Sequence, residues 1–158
     1  MMSSLATKAR KTGPKKRAVA PSVDLVSVYR LPKAAPEILY RLLEEREPHV
    51  NISHRGMPTW KDHVRFIAGH PYSAWYLVRS GQDYVGAIYL TALGEIGIGV
   101  LAQWRGHGFG RAAIRALMRK HPRSRFLANI NPGNATSIRM FSEMGFRIIQ
   151  QTYELRGK

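Results

Sequence analysis

A chain of 158 residues with 44% hydrophobic content is long enough to bury its own core, so one domain is expected. It has no cysteine, which excludes a disulfide framework, a thiol nucleophile and a cysteine-based metal site. No apolar run approaches the roughly 18 residues that span a bilayer, and the net charge of +15 favours polyanionic partners.

That charge is unevenly spread. Residues 1–20 hold Lys8, Arg10, Lys11, Lys15, Lys16 and Arg17 with no acid, giving +6, while the rest of the chain carries +9. The segment is rich in Ala, Ser, Gly and Pro and has no hydrophobic period. A disordered basic tail (1–20) ahead of a folded domain (21–158) is therefore expected. Such an arm either binds nucleic acid non-specifically or simply stays solvated. The N-terminus lacks the apolar stretch of a secretory signal, so cytoplasmic residence is expected.

Alternation of Val23, Leu25, Ser27 and Tyr29 with Asp24, Val26, Val28 and Arg30 predicts a first strand. Residues 34–47 read as a helix, with Pro36 in the first turn and Ile38, Leu39, Leu42 and Leu43 on one side. Pro48 ends it, and residues 50–58 read as a loop. Thr59 caps a short helix, with Asp62 three residues on in an imperfect capping box, and Gly69 stops it.

Two apolar strands, 74–79 and 84–91, flank the hairpin turn Ser80-Gly81-Gln82-Asp83. A strand over 95–101, a helix over 109–120 and a buried strand over 125–131 follow. Asn134 opens the last helix, Gly145 closes it, and residues 147–155 form a final strand or two. The order β-α-α-β-β-β-α-β-α-β describes an α/β domain built on a mixed sheet.

The most informative stretch is Arg105-Gly106-His107-Gly108-Phe109-Gly110-Arg111, between a strand-like run and a helix-like run. Glycines let the backbone turn tightly and expose its N–H groups. The first N–H donors of the following helix have no internal partner. An amide-lined turn feeding a helix N-terminus cradles an anion such as a pyrophosphate. The alternative is a plain structural turn. The sequence is neither a Walker A loop nor the G-x-G-x-x-G of a dinucleotide fold.

This loop resembles the acyl-CoA loop of the GNAT acetyltransferase superfamily, Arg/Gln-x-x-Gly-x-Gly/Ala. Arg105, Gly108 and Gly110 occupy those positions, and Gln103, Gly106 and Gly108 fit two residues earlier. The stretch from Asn131 to Phe146 is similar to the family's other hallmark, Asn-x-x-Ser/Ala-Ile-Arg/Lys, a helix and a closing Gly-Phe. The resemblance covers roughly residues 23–155. It implies a twisted, largely antiparallel sheet with helices on both faces and a splay between two central parallel strands.

It also implies an N-acetyltransferase that moves acetyl from acetyl-CoA to a primary amine by direct attack. Loop amides from Arg105 through Arg111 would hold the pyrophosphate. Val100 and Leu101 would pair with the pantetheine arm, and Asn134 and Ser137 would lie by the cofactor. Glu95 matches the general base of one branch, or else is a solvent-exposed turn residue. The family's general acid, a Tyr on the last helix, is replaced by Phe141, leaving Tyr153 or Ser137 as substitutes.

Asn134 and Asn131 also read as ordinary caps, Asn131 otherwise facing the acceptor. Arg111, Arg115 and Arg119 share a helix face, either solvated or near an adenosine 3′-phosphate. His54 and Arg55 fall where family members build the acceptor pocket. Likeness to members acting on amino-sugar nucleotides implies a small anionic amine as acceptor. A target amine on a nucleic acid or its bound protein, and a non-catalytic acyl-CoA or nucleic-acid module, are the alternatives. Family members are often homodimers. The histidines show no metal-ligand spacing, so no metal is expected.

Overall fold

The computed structural model describes residues 20–50, 56–155 and 157. The basic segment 1–19 lies outside them, as do His54 and Arg55. The chain runs β1 (Asp24–Ser27), α1 (Ala34–Glu44), α2 (Trp60–Ala68), β2 (Ala74–Ser80), β3 (Asp83–Leu90), β4 (Ile96–Val100), α3 (Phe109–Lys120) and α4 (Ala135–Glu143). The strands form one antiparallel sheet in the order β1-β2-β3-β4.

Alternation along the strands gives the sheet two apolar faces. On one, Val78, Ile88, Leu90 and Ile96 pack against Ile114 and Leu117 of α3 and Phe141 of α4. On the other, Trp75, Leu77 and Ala87 pack against Ala35 and Leu39 of α1 and Ile67 of α2. A mixed α/β fold with an antiparallel sheet and helices on both faces follows.

Local signals set the helix and turn boundaries. The Thr59 hydroxyl accepts from the Asp62 N–H at 3.2 Å, capping α2, and donates to the Asp62 carboxylate at 2.7 Å. The Asn134 side chain accepts from the Ser137 N–H at 3.0 Å. Gly145 takes φ +93°, and the Phe146 N–H returns to the Phe141 carbonyl at 3.0 Å, a Schellman closure.

β3 carries a bulge. Val78 pairs with Gly86 and Arg79 with Tyr84, leaving Val85 as the extra residue. This puts Val85 with the α3 core and Ala87 with the α1 core, although they are two positions apart. A Cβ on Gly86 would sit 2.2 Å from the Gly99 carbonyl oxygen, so only glycine lets β3 and β4 approach here. The bulge lies beside the C-terminal end of β4, where the Leu101 N–H donates to the Val85 carbonyl at 3.0 Å.

Four expectations change. The first strand stops at Ser27, because Val28–Arg30 turns as a 3-10 helix that buries Val28. The first helix ends at Glu44, with Pro48–Val50 in a 3-10 turn. The expected strand 125–131 reduces to a single parallel bridge between Glu95 and Leu127. Asn131 bends the chain away, its side-chain oxygen accepting from the Gly133 N–H at 2.8 Å. Residues 147–155 form no strand: Ile148 is 81% exposed and Ile149 67%, with no ladder to pair them.

Candidate active site

The site is built along β4 and the turn that follows it. At the start of β4 the Ile96 N–H donates to the Leu127 carbonyl at 2.8 Å, and the Leu127 N–H donates to the Gly94 carbonyl at 2.9 Å. Pairing with the 125–131 segment then ceases, so the sheet opens along this edge of β4. By alternation, Ile98 and Val100 turn their backbone groups to the same open side as Ile96. Leu101 does not, its N–H being committed to Val85. Of the two backbone positions expected to meet a ligand arm, Val100 alone faces the opening.

The cradle follows. Gly106 and Gly108 take φ of +78° and +83°, left-handed conformations that any Cβ would strain. Gly108 is the N-cap of α3, and its carbonyl accepts the first helical bond, from the Ala112 N–H at 3.1 Å. Among the described residues, no backbone carbonyl accepts from the N–H groups of Phe109, Gly110 or Arg111. These amides stand together at a helix start, the arrangement that stabilises an anion. Phe109 anchors them from below, buried and edge-on to Trp104 at 5.6 Å.

The flanking arginines are engaged elsewhere. Arg105 donates through Nε to the Val100 carbonyl at 3.0 Å and through a terminal nitrogen to the Glu45 carbonyl at 2.9 Å. It also lies 3.8 Å from the Glu47 carboxylate. Arg111 pairs with the Glu143 carboxylate of α4. His107 turns its Nδ1 to the Arg105 carbonyl at 2.8 Å. The cradle thus offers backbone donors, while its two arginines brace it to α1 and α4.

Glu95 sits at the opposite end of β4, about 16 Å from Val100 by strand rise. One carboxylate oxygen accepts from the Asn129 amide at 2.9 Å and the other from the Thr91 hydroxyl at 3.2 Å. The Thr91 oxygen in turn accepts from the Glu95 N–H at 3.0 Å. Sequence reading missed both partners. Thr91 had a signal, four residues back across a Gly94 turn; Asn129 had none, because only the Leu127 bridge sets its register. The carboxylate is held, half-buried, at the paired end of β4 from which the opening begins.

Asn134 and Ser137 meet as N-cap and capped amide at the start of α4, and Asn131 shapes the turn before it. Phe141, at the position of the expected acid, is buried and edge-on to Phe146 at 5.0 Å. Tyr153 is 88% exposed, and its hydroxyl donates to Gln151 at 3.0 Å. Nothing in its surroundings brings it to Glu95. His63 is a core histidine, with Nε2 2.9 Å from the Pro36 carbonyl.

A profile of the acetyltransferase (GNAT) family matches residues 37–146, which include β4, the cradle, α3 and α4. The chain belongs to the GNAT family. Acyl transfer is the chemistry this membership supports. The fold is similar to a domain from Methanocaldococcus jannaschii, with a TM-score of 0.67 at 15% identity over 84% of this chain and 93% of that one. It is also similar to an acetyltransferase from Thermus thermophilus, with a TM-score of 0.60 at 22% identity over 82% and 89% of the two chains. At these identities the likenesses show the fold. No curated protein matches the chain.

Among the described residues, no helix is long and apolar enough to cross a membrane, and no group of three or more His, Asp or Glu side chains is placed to hold a metal ion.

Proposed function

We propose that this GNAT protein transfers an acetyl group from acetyl-CoA to a primary amine by direct attack. One arrangement carries the reading: a fixed carboxylate, Glu95, and an amide cradle, residues 108–111, lie at opposite ends of one strand whose edge is open between them. A donor with a diphosphate at one end and a thioester on a long arm suits that separation. The residues fit it. Gly106 and Gly108, at positive φ, add no side chain of their own to the cradle, and among the described residues the amides of Phe109, Gly110 and Arg111 have no backbone partner.

Acetyl-CoA supplies an activated acyl thioester. Glu95 accepts one proton from the ammonium form of the acceptor, directly or through water, because an ammonium has no lone pair. The amine nitrogen bonds to the carbonyl carbon and the carbonyl oxygen takes up the negative charge, while the Val100 N–H, farther along the open edge, would pair with the pantetheine arm. The C–S bond then breaks. The amide nitrogen loses its second proton to solvent, and the thiolate is protonated. Its pKa lies near the roughly 8.5 of a cysteine thiol, so it leaves without a protein acid. Phe141 has no proton to donate, and the exposure of Tyr153 is consistent with departure as the thiolate.

A small anionic acceptor, such as the amino-sugar nucleotide that the family resemblance implies, would suit the +9 charge of the chain beyond residue 20. Calorimetric titration of acetyl-CoA, followed by thiol release across an amine library, tests the reading. Micromolar binding that Gly108→Trp abolishes would support it; no binding by the wild-type protein would overturn it.

A further inference from the structure

The positive charge of the chain beyond residue 20 lies on one side of the sheet. Residues 21–100 carry eight Lys/Arg and eight Asp/Glu, for no net charge, whereas residues 101–147 carry nine Lys/Arg and one acid, for +8. The second stretch supplies α3 and α4, which cover the sheet face opposite α1 and α2. Arg115, Arg119 and Lys120 of α3, Arg123 and Arg125 beyond it, and Arg139 of α4 are all exposed. The one acid, Glu143, pairs with Arg111. Asp24 shares the groove between β1 and α3 with Arg119 and Lys120, but its carboxylate pairs with Arg79 at 3.1 Å. Among the described residues, Arg115, Arg119, Lys120 and Arg125 form no ion pair.

Neither the helix nor the cradle accounts for this charge. Cations at a helix C-terminus suit its dipole, which covers Arg119 and Lys120 but not Arg115, Arg125 or Arg139. Arg119 stands about 15 Å along α3 from Phe109, too far for a diphosphate seated on the cradle. The chain enters the fold beside this face, since Cδ of Pro21 lies 3.3 Å from where a Cβ of Gly108 would stand. Residues 1–20, with six Lys/Arg and no acid, join the molecule there.

We infer that the α3–α4 face, continued by residues 1–20, binds duplex nucleic acid through its phosphates without reading sequence. A surface of one sign along the roughly 18 Å of α3 matches a polymer of regularly repeated charge. Eight of the nine basic residues in 101–147 are arginine, whose planar fork pairs with phosphate oxygens. The exposed residues of α3 include no aromatic ring on which unpaired bases could stack, which favours a duplex over a single strand. Its apolar residues Ile114 and Leu117 are spent in the core, leaving none to enter a lipid surface. The inference goes beyond acetyl transfer and does not rest on it.

The test is fluorescence anisotropy of a labelled DNA duplex of about 20 base pairs and random sequence, titrated with the full chain across a salt series. Micromolar affinity is expected at about 100 mM salt. Arg119→Gln/Lys120→Gln/Arg125→Gln is expected to weaken binding at least about tenfold. It should also reduce the slope of log affinity against log salt by about 2–3, because each phosphate contact contributes about 0.9. Arg30→Gln/Lys33→Gln/Lys61→Gln removes the same charge from exposed positions on the α1–α2 side and is expected to change affinity less than about threefold. Thermal melting checks that both variants fold; should the first not, its three single substitutions carry the test, each expected to lower the slope by about 0.9. No binding by the full chain overturns the inference. So does binding that the α3 variant leaves intact, which would assign it to residues 1–20 alone, or equal losses in the two variants, which would assign it to net charge. A loss matched by an equal fall in acetyl-CoA affinity would give these side chains to the cofactor. Displacement of the duplex by polyglutamate of equal charge would make the face a site for acidic peptides, and both results overturn it.

Discussion

The Arg105 guanidinium donates to the main-chain carbonyl of Glu45 at 2.9 Å, tying the C-terminal end of α1 to the cradle. Its Nε reaches the Val100 carbonyl at 3.0 Å, so one planar group spans two segments. A lysine offers a point charge and cannot satisfy both carbonyls. Arg105→Lys and Arg105→Ala are therefore expected to weaken acetyl-CoA binding by a similar factor, about fivefold to tenfold, and to cost about 1 kcal/mol of stability after allowance for exposure. Calorimetry on both variants decides the matter. If Lys retains most of the affinity and Ala does not, Arg105 touches phosphate instead of bracing the loop.

Gly108 tests the cradle itself. At φ +83° a Cβ is strained, and it would also lie 3.3 Å from Cδ of Pro21. Gly108→Ala is expected to cost about 1–2 kcal/mol and to weaken acetyl-CoA binding more than about tenfold. Gly81, at φ +60° in the β2–β3 hairpin, is the control, since it meets nothing within 4 Å. Gly81→Ala should lose comparable stability with binding intact. Parallel losses of binding in the two variants would show that stability alone moves the affinity.

For Glu95 the expectation concerns rate. Glu95→Gln keeps the shape and most of the hydrogen bonds to Thr91 and Asn129 but cannot take a proton. Turnover is expected to fall about 10²-fold to 10³-fold with acetyl-CoA affinity unchanged. Asn129→Ala should cost less, because the Thr91 hydroxyl still holds one oxygen at 3.2 Å. Single-turnover kinetics with saturating acetyl-CoA give both numbers. Full activity in Glu95→Gln would leave the proton to solvent.

What was legible in the sequence was local. The Thr59 cap, the Asn134 cap, the Gly145 closure and the Ser80–Asp83 hairpin each rest on residues within five positions of one another. The cradle was legible for the same reason, since Gly106 and Gly108 sit immediately before α3. The illegible parts depend on distant partners. Apolar alternation made 125–131 and 147–155 look like strands, yet a strand exists only where another lies beside it. Asn129 and Glu95 are 34 residues apart, and Arg105 and Glu45 are 60 apart, so no spacing rule links them.

The last expectation concerns acid. The carboxyl of Glu45 feels burial, which raises it, but the Ala102 N–H at 2.6 Å and then Arg41 and Arg105 together hold it below the usual 4.5. A carboxyl held low stabilises the fold above its unfolded value and loses that contribution as pH falls through its folded one, here below 4.5. His121 is also held low, below 6.5, by burial first and then by Lys120 and Arg123; its Nε2 lies 2.8 Å from the Tyr76 hydroxyl. Its contribution is complete above 6.5 and is lost as pH falls through the folded value, because the unfolded chain binds the proton first. Acidification should thus remove stability in two stages, His121 before Glu45. Urea titrations across the range check this, with His121→Gln expected to flatten the upper stage and Glu45→Gln the lower. A single acid stage that neither variant alters would locate the titrating groups elsewhere.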